Sequence, residues 1–123
     1  MFTCTGAFSG FSATDVEVER AFYADRLGLT ATVDNGILNL ELPGSQHVIV
    51  YPKDDHQPAT FTVLNLEVDD IDEAVDTLSA AGVVFEHYDG LAQDEHGVQR
   101  EYGQPIAWFK DPAGNILSVI QAS

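Results

Sequence analysis

The chain has 123 residues, with 20 acidic and 5 basic side chains and a formal net charge of −15. Its length predicts a single domain, residues 1–123, and a hydrophobic fraction of 45% is ordinary for a folded protein. A surface this acidic repels phosphate backbones and anionic bilayers, which argues against binding to nucleic acid or to a membrane surface. The surplus carboxylates are explained by solubility, and they would also suit a cationic ligand.

Cysteine content and hydropathy predict a cytoplasmic protein. The single cysteine, Cys4, cannot form an intramolecular disulfide. No apolar run approaches the roughly 18 residues of a membrane span, and no basic region precedes an apolar stretch at the N-terminus.

The first half contains the signals of one helix and of strands around a hairpin turn. A capping box at residues 14–17, with the Thr14 hydroxyl as the cap, begins the helix, and Gly28 ends it. Strands are predicted at residues 37–42 and 48–51 from their apolar residues. Asp34-Asn35-Gly36 predicts a tight hairpin turn, because Asn-Gly tolerates positive φ at both central positions.

The second half repeats this order. Asp70 is the predicted N-cap of a helix that ends at Gly82. Strands are predicted at residues 61–68, 83–85, 105–109 and 116–120. The helix starts of the two halves lie about 55 residues apart, which indicates two copies of one supersecondary unit.

The predicted organisation is therefore a first module at residues 1–52, a polar linker at 53–59 and a second module at 60–123. Residues 89–103 form an irregular stretch long enough to act as a lid or a binding loop rather than a tight connection.

Three segments of the chain carry a family resemblance when taken together. They are the segment from Asp15 to Leu29, the run from Val68 to Val75, and the turn and strand from Trp108 to Leu117 with Asp111-Pro112-Ala113-Gly114-Asn115 at its centre. In this order they resemble the glyoxalase/bleomycin-resistance/dioxygenase superfamily, also called vicinal oxygen chelate proteins. The resemblance implies an α+β fold of two tandem βαβββ modules that form a curled mixed sheet around a cleft, usually completed as a homodimer.

Enzymes of that superfamily hold a divalent metal with His and Glu side chains. The resemblance places the matching positions at Phe8, Val63 and Ser118, and the fourth-strand position at Val48 or Ile49. Phenyl and alkyl side chains carry no donor atom, and a serine hydroxyl is a weak ligand. The four histidines, His47, His56, His87 and His96, do not pair at the spacing of metal ligands. No cofactor and no standard metal site are therefore expected.

Strand alternation predicts which side chains line the cleft. If Val63 faces it, then Asn65 and Glu67 share that face. Aromatic side chains are suited to the remaining wall, since ligand pockets are mainly apolar with a few polar groups that set orientation. The predicted ligand-binding residues are Phe8, Tyr51, Val63, Asn65, Tyr102, Trp108 and Ser118.

Two classes of function stay open at this point. One is metal-independent binding of a small molecule, cationic or aromatic, in an aromatic-lined cleft, as the resemblance to the bleomycin-resistance branch implies. The other is an enzyme of the lyase or dioxygenase type, metal-dependent or metal-free. A metal-free enzyme would use Glu67 or Glu101 as general base, which requires burial to raise the pKa of the carboxyl group.

Overall fold

The computed structural model describes all residues from 1 to 123 and divides into two compact units, Met1–Gln57 and Pro58–Ser123. Each unit contains one mixed β-sheet and one helix, so the predicted α+β class is confirmed, with seven strands in two sheets. The boundary falls within the segment that the sequence marks as a linker. No helix is long and apolar enough to cross a membrane.

The first unit is built from four strands and one helix. Its elements are β1 (Ser9–Ala13), α1 (Val16–Ala21), β2 (Thr30–Asp34), β3 (Ile37–Leu42) and β4 (Gln46–Pro52), and α1 continues as a π-helical segment, Phe22–Arg26. The cap of α1 is Asp15 rather than the predicted Thr14, because the Asp15 carboxylate accepts from the backbone N–H of Glu17 at 3.1 Å and of Val18 at 3.3 Å.

The strand order in this sheet is β1-β4-β3-β2, with β1 parallel to β4 and both other pairs antiparallel. The predicted hairpin turn is present between β2 and β3, where Asn35 and Gly36 both have positive φ. Alternating residues of β3 and β4, including Leu38, Leu40 and Val50, are fully buried. The alternate positions, which include His47, form the more open face of the sheet.

The second unit has three strands and one helix. Its elements are β5 (Thr62–Val68), α2 (Ile71–Ala80), β6 (Ile106–Lys110) and β7 (Ile116–Gln121). The strand order is β5-β7-β6, with β5 parallel to β7 and β6 antiparallel to it. Asp70 caps α2 through its contact with the Glu73 N–H at 3.1 Å, as predicted, and Gly82 follows the helix with a φ of 96°.

The predicted strand at residues 83–85 is wrong. Only one bridge forms there, between Phe85 and Phe109, followed by a hydrogen bond from Glu86 N–H to the Trp108 carbonyl at 2.8 Å. At the start of this segment the Val83 N–H donates to the Leu78 carbonyl at the end of α2 at 2.9 Å. Just beyond its end, Gln93 Nε2 donates to the Glu86 carbonyl at 3.0 Å and to the Gly97 carbonyl at 2.7 Å. The chain therefore leaves the sheet after one bridge and enters the long loop.

The turn between β6 and β7 is held by one carboxylate. Asp111 Oδ1 accepts from the N–H groups of Ala113 at 2.9 Å and Asn115 at 3.0 Å, and Oδ2 accepts from Asn115 Nδ2 at 3.0 Å. Gly114 adopts the positive φ that the turn requires. Because Asp111 and Asn115 are both buried, this turn fixes where β7 begins and hence where Ser118 lies.

Candidate functional site

Three of the predicted ligand-binding residues form a row across the sheet of the second unit. Asn65 on β5 lies opposite Ser118 on β7, and Ser118 lies opposite Trp108 on β6. Residues in direct register share one face of a sheet. Strand pairing alone therefore brings an amide, a hydroxyl and an indole side by side.

The Asn65 amide is held by the Ser118 hydroxyl. Ser118 Oγ donates to Asn65 Oδ1 at 2.6 Å. Ser118 is fully buried, whereas Asn65 is exposed. A buried group therefore fixes the orientation of an accessible one, which is how polar groups in binding sites are positioned.

The indole of Trp108 is fixed on two sides. Its Nε1 donates to Thr62 Oγ1 at 3.1 Å. The ring also packs edge-to-face against Tyr88, with ring centres 5.7 Å apart and an interplanar angle of 79°. The indole is therefore held by two neighbours in the row that also carries Asn65.

Tyr88 carries a hydroxyl that is buried and has no hydrogen-bond partner. Burial raises the pKa of Tyr88, the neighbouring charge of Glu86 raises it further, and Lys110 acts in the opposite direction. The phenol is therefore held in its protonated form, which can donate a hydrogen bond.

A β-bulge changes the position of Val63. Thr62 pairs with Ile116 and Leu64 pairs with Leu117, so Val63 is the extra residue of β5. The strict alternation that put Asn65 and Glu67 on the face of Val63 is interrupted there. Thr62 lies beside the row, because its hydroxyl accepts the hydrogen bond from Trp108. The sequence did not predict this residue, since a bulge leaves no clear local signal.

In the first unit, Phe8 lies beside His47. Ser9 pairs with Val48 in parallel register, and the rings of Phe8 and His47 stack with centres 4.8 Å apart. The fourth-strand neighbour of Phe8 is therefore His47, and neither Val48 nor Ile49. Alternation puts both Ile49 and His47 on the face of Tyr51, and only the register of β1 against β4 decides which of them lies beside Phe8.

His47 also borders a groove at one end of this sheet. Glu41 lies directly opposite His47 in the antiparallel pair of β3 and β4. The groove has a volume of about 390 Å³ and is lined by Asn39, Glu41, Leu42, Ser45, Gln46 and His47. Its lining is mostly polar and contains no aromatic ring apart from the imidazole. Tyr51, with 38% of its surface exposed, is not among the lining residues.

The loop at residues 89–103 is held at its base. Gln99 and Ile106 exchange backbone hydrogen bonds of 2.9 and 3.1 Å, and Gln99 Oε1 accepts from the Tyr102 N–H at 3.0 Å. Tyr102 itself is 72% exposed, and Glu101 beside it is also exposed. Glu67, opposite Ile120 on β7, is exposed as well, so neither candidate general base is buried.

The residues at the expected metal positions do not fit a metal ion. Phe8 and Val63 have no donor atom, and the Ser118 hydroxyl donates its proton to Asn65. No group of three or more His, Cys, Asp or Glu side chains is arranged to hold a metal. His47 supplies one side chain that could coordinate a metal, at the fourth-strand position for which the sequence offered Val48 or Ile49. Its ring is stacked on Phe8.

Comparison with known proteins identifies one family. The model of the Glyoxalase/Bleomycin resistance protein/Dioxygenase superfamily matches residues 10–119. No curated protein matches the sequence.

Several solved structures are similar to the whole chain. A member of the same superfamily from Sphaerobacter thermophilus DSM 20745 is 26% identical, with a TM-score of 0.73 over 97% of this chain and 98% of that one. TnmS3, an antibiotic binding protein from Streptomyces sp. CB03234, is 21% identical, with a TM-score of 0.73 over 99% and 100%. A lactoylglutathione lyase from Agrobacterium tumefaciens is 20% identical, with a TM-score of 0.69 over 97% and 95%.

Proposed function

Because the chain belongs to the Glyoxalase/Bleomycin resistance protein/Dioxygenase superfamily, we propose that it binds a small organic molecule without the help of a metal ion. The ligand lies on the sheet face that carries Asn65, Ser118 and Trp108. The observation that carries this proposal is the cross-strand row itself, in which a buried hydroxyl orients an exposed amide next to a fixed indole.

The composition of the row supports binding of an aromatic ligand. Ligand sites in proteins are mainly apolar, with a small number of polar groups that fix orientation. Trp108 and Tyr88 supply aromatic surface, and Asn65 supplies the polar group. Because Trp108 is held by Thr62 and Tyr88, little side-chain entropy is lost when a ligand packs on it.

We propose binding without a metal ion because of the side chains at the positions where the family holds its metal. The donors needed at three family positions are replaced by a phenyl ring, an alkyl group and a hydroxyl that is already engaged with Asn65. His47 and Glu41 would supply two ligands in the first unit, and a stable site needs at least one more.

The similar structures give precedent for more than one activity. One is named as an antibiotic binding protein and another as a lactoylglutathione lyase. The enzymatic alternative requires a carboxylate with a raised pKa, and both Glu67 and Glu101 are exposed to water. Ligand binding without chemistry is therefore the proposal that the row supports better. The proposal also includes that the chain forms a homodimer and acts in the cytoplasm.

The test combines metal analysis with ligand screening on the purified protein. Trp108 is the only tryptophan, so its fluorescence reports on this one site. We expect no stoichiometric transition metal, no change in melting temperature with EDTA, and stabilisation by aromatic compounds that also change Trp108 emission. A true ligand at a hundredfold excess over its Kd stabilises the fold by about 2.7 kcal/mol.

Two results would contradict the proposal. One is a metal ion near one per chain whose removal by EDTA abolishes ligand stabilisation. The other is a ligand that stabilises the protein strongly while Trp108 emission is unchanged, since that ligand would bind elsewhere. As a control for the enzymatic alternative, Glu67→Gln should leave both binding and any turnover of the ligand unchanged.

A further inference from the structure

We infer that the ligand is anchored by a neutral carbonyl oxygen, which accepts a hydrogen bond from the Asn65 amide. This inference rests on the proposed function and adds to it the chemical class of the ligand. It follows from which atoms of the row are already engaged and which remain free to bind.

The first step is the orientation of the Asn65 amide. The contact to Ser118 Oγ measures 2.6 Å. Hydrogen bonds between two oxygens cluster near 2.7–2.8 Å, whereas those from nitrogen to oxygen cluster near 2.9–3.0 Å. In this contact Ser118 Oγ is the donor and the amide oxygen of Asn65 is the acceptor. The Nδ2 group, which carries two hydrogens and accepts nothing, is left for the ligand.

The second step concerns the neighbouring hydroxyl groups. An indole nitrogen only donates, so Thr62 Oγ1 is the acceptor in its contact with Trp108, and its own proton stays available. The Tyr88 hydroxyl is buried, so a ligand on the row does not reach it. Asn65 and Thr62 can therefore each donate a hydrogen bond to a ligand. Their oxygens already accept one hydrogen bond each, from Ser118 and from Trp108.

The third step is the charge of the ligand. A net charge of −15 disfavours carboxylates and phosphates, although both are strong acceptors. An ammonium group would be drawn to the protein and to the exposed Glu67 on the same face, but against the Asn65 amide it would set donors against donors. A carbonyl group satisfies the donors without adding negative charge, and an aromatic ring beside it can pack on Trp108.

The experiment uses three compounds of nearly the same shape. Acetophenone carries a carbonyl, isopropylbenzene replaces the oxygen with a methyl group, and 1-phenylethylammonium replaces it with a charged donor. Binding is followed in ¹H–¹⁵N spectra through the single indole signal of Trp108 and the two side-chain amide signals of Asn65, which are identified by their absence in Asn65→Asp.

We expect acetophenone to bind with a Kd in the range of about 1–10 mM, as small fragments do, and to shift the Asn65 amide signals. At equal concentrations within its low solubility, isopropylbenzene should shift the Trp108 signal about tenfold less than acetophenone, because sites built to hydrogen-bond a ligand reject analogues that lack the group. In Asn65→Asp the Ser118 hydroxyl can still donate to the carboxylate, so the fold is kept. This variant should lose acetophenone and prefer the ammonium compound.

Two further variants control for charge and for orientation. Asn39→Asp makes the same charge change on β3 of the other unit and should bind acetophenone like the wild type. Ser118→Ala releases the Asn65 amide, so the preference for acetophenone over 1-phenylethylammonium should fall toward equality while the Trp108 signal still responds.

The outcomes separate the two proposals. If isopropylbenzene or 1-phenylethylammonium binds the wild type as tightly as acetophenone, or if Asn65→Asp keeps acetophenone binding, the carbonyl inference is wrong and ligand binding at the row stands. If neither acetophenone nor 1-phenylethylammonium shifts the Trp108 signal at about 10 mM, where fragment binding is normally detectable, both proposals fail.

Discussion

Replacing Asp111 should destabilise the protein more than any exposed carboxylate can. Its carboxylate accepts three hydrogen bonds from the turn before β7, two from backbone N–H groups and one from the Asn115 amide. Hydrogen bonds to a charged group contribute about 1.5–3 kcal/mol each, and they are not additive when they share one acceptor. Asp111→Ala should therefore lower the free energy of unfolding by about 3–5 kcal/mol. Asp111→Asn keeps one oxygen for the backbone bonds and should lose about 1–2 kcal/mol.

The assay is urea unfolding followed by circular dichroism. With an m-value of about 1.5 kcal/mol/M, the expected loss for Asp111→Ala moves the midpoint down by about 2–3 M. Asp54→Ala is the matched control, because Asp54 is exposed and its removal changes the net charge equally. Its midpoint should shift by no more than the equivalent of about 0.5 kcal/mol. Equal midpoints for Asp111→Ala and Asp54→Ala would refute the assignment of the turn to this carboxylate.

Three further predictions concern other parts of the chain. A Cβ at Gly10 would lie 2.8 Å from Ile49 Cγ1, so Gly10→Val should cost about 1–3 kcal/mol in urea unfolding, more than Gly6→Val, where nothing lies within 4 Å. Tyr88→Phe removes an unpartnered buried hydroxyl and should leave stability at pH 7 unchanged or raised by about 1 kcal/mol. Because the pKa of Tyr88 is raised in the fold, the wild type should lose stability as the pH rises above the usual tyrosine value of about 10, and thermal melts of Tyr88→Phe should show less of this loss. Sedimentation at micromolar concentration should reveal a dimer that strengthens with salt, since each chain carries a charge of −15, and a monomer at all salt concentrations would disprove it.

Much of the fold could be predicted because its signals are local. The Asn35-Gly36 turn, the Asp70 cap and the alternation of β3 each depend on residues close together in the sequence. The cap of α1 shows that such local signals can be off by one residue. Thr14 and Asp15 are both good caps, and only backbone geometry decides between them.

The predictions that failed or stayed open depend on distant contacts. The strand expected at residues 83–85 is limited to one bridge, because the Val83 N–H is bonded to the Leu78 carbonyl and the Glu86 carbonyl to the Gln93 side chain. The position of His47 beside Phe8 depends on the register between β1 and β4, which are far apart in the chain. Residue type and alternation carry no information on either point. The contact between Ser118 and Asn65 likewise depends on the pairing of β5 with β7.

The two units place different chemistry at equivalent positions of the same sheet pattern. In each unit the first strand runs parallel to the last, and Gly10 lies opposite Ile49 as Asn65 lies opposite Ser118. The first pair is apolar and so closely packed that Gly10 has no room for a side chain, whereas the second pair is polar and ends in an exposed amide. A single Gly10→Asn change could not copy the polar row, because the new side chain would collide with Ile49. The repeated backbone therefore provides equivalent positions in both units, and the side chains decide that only the second unit carries a polar row there.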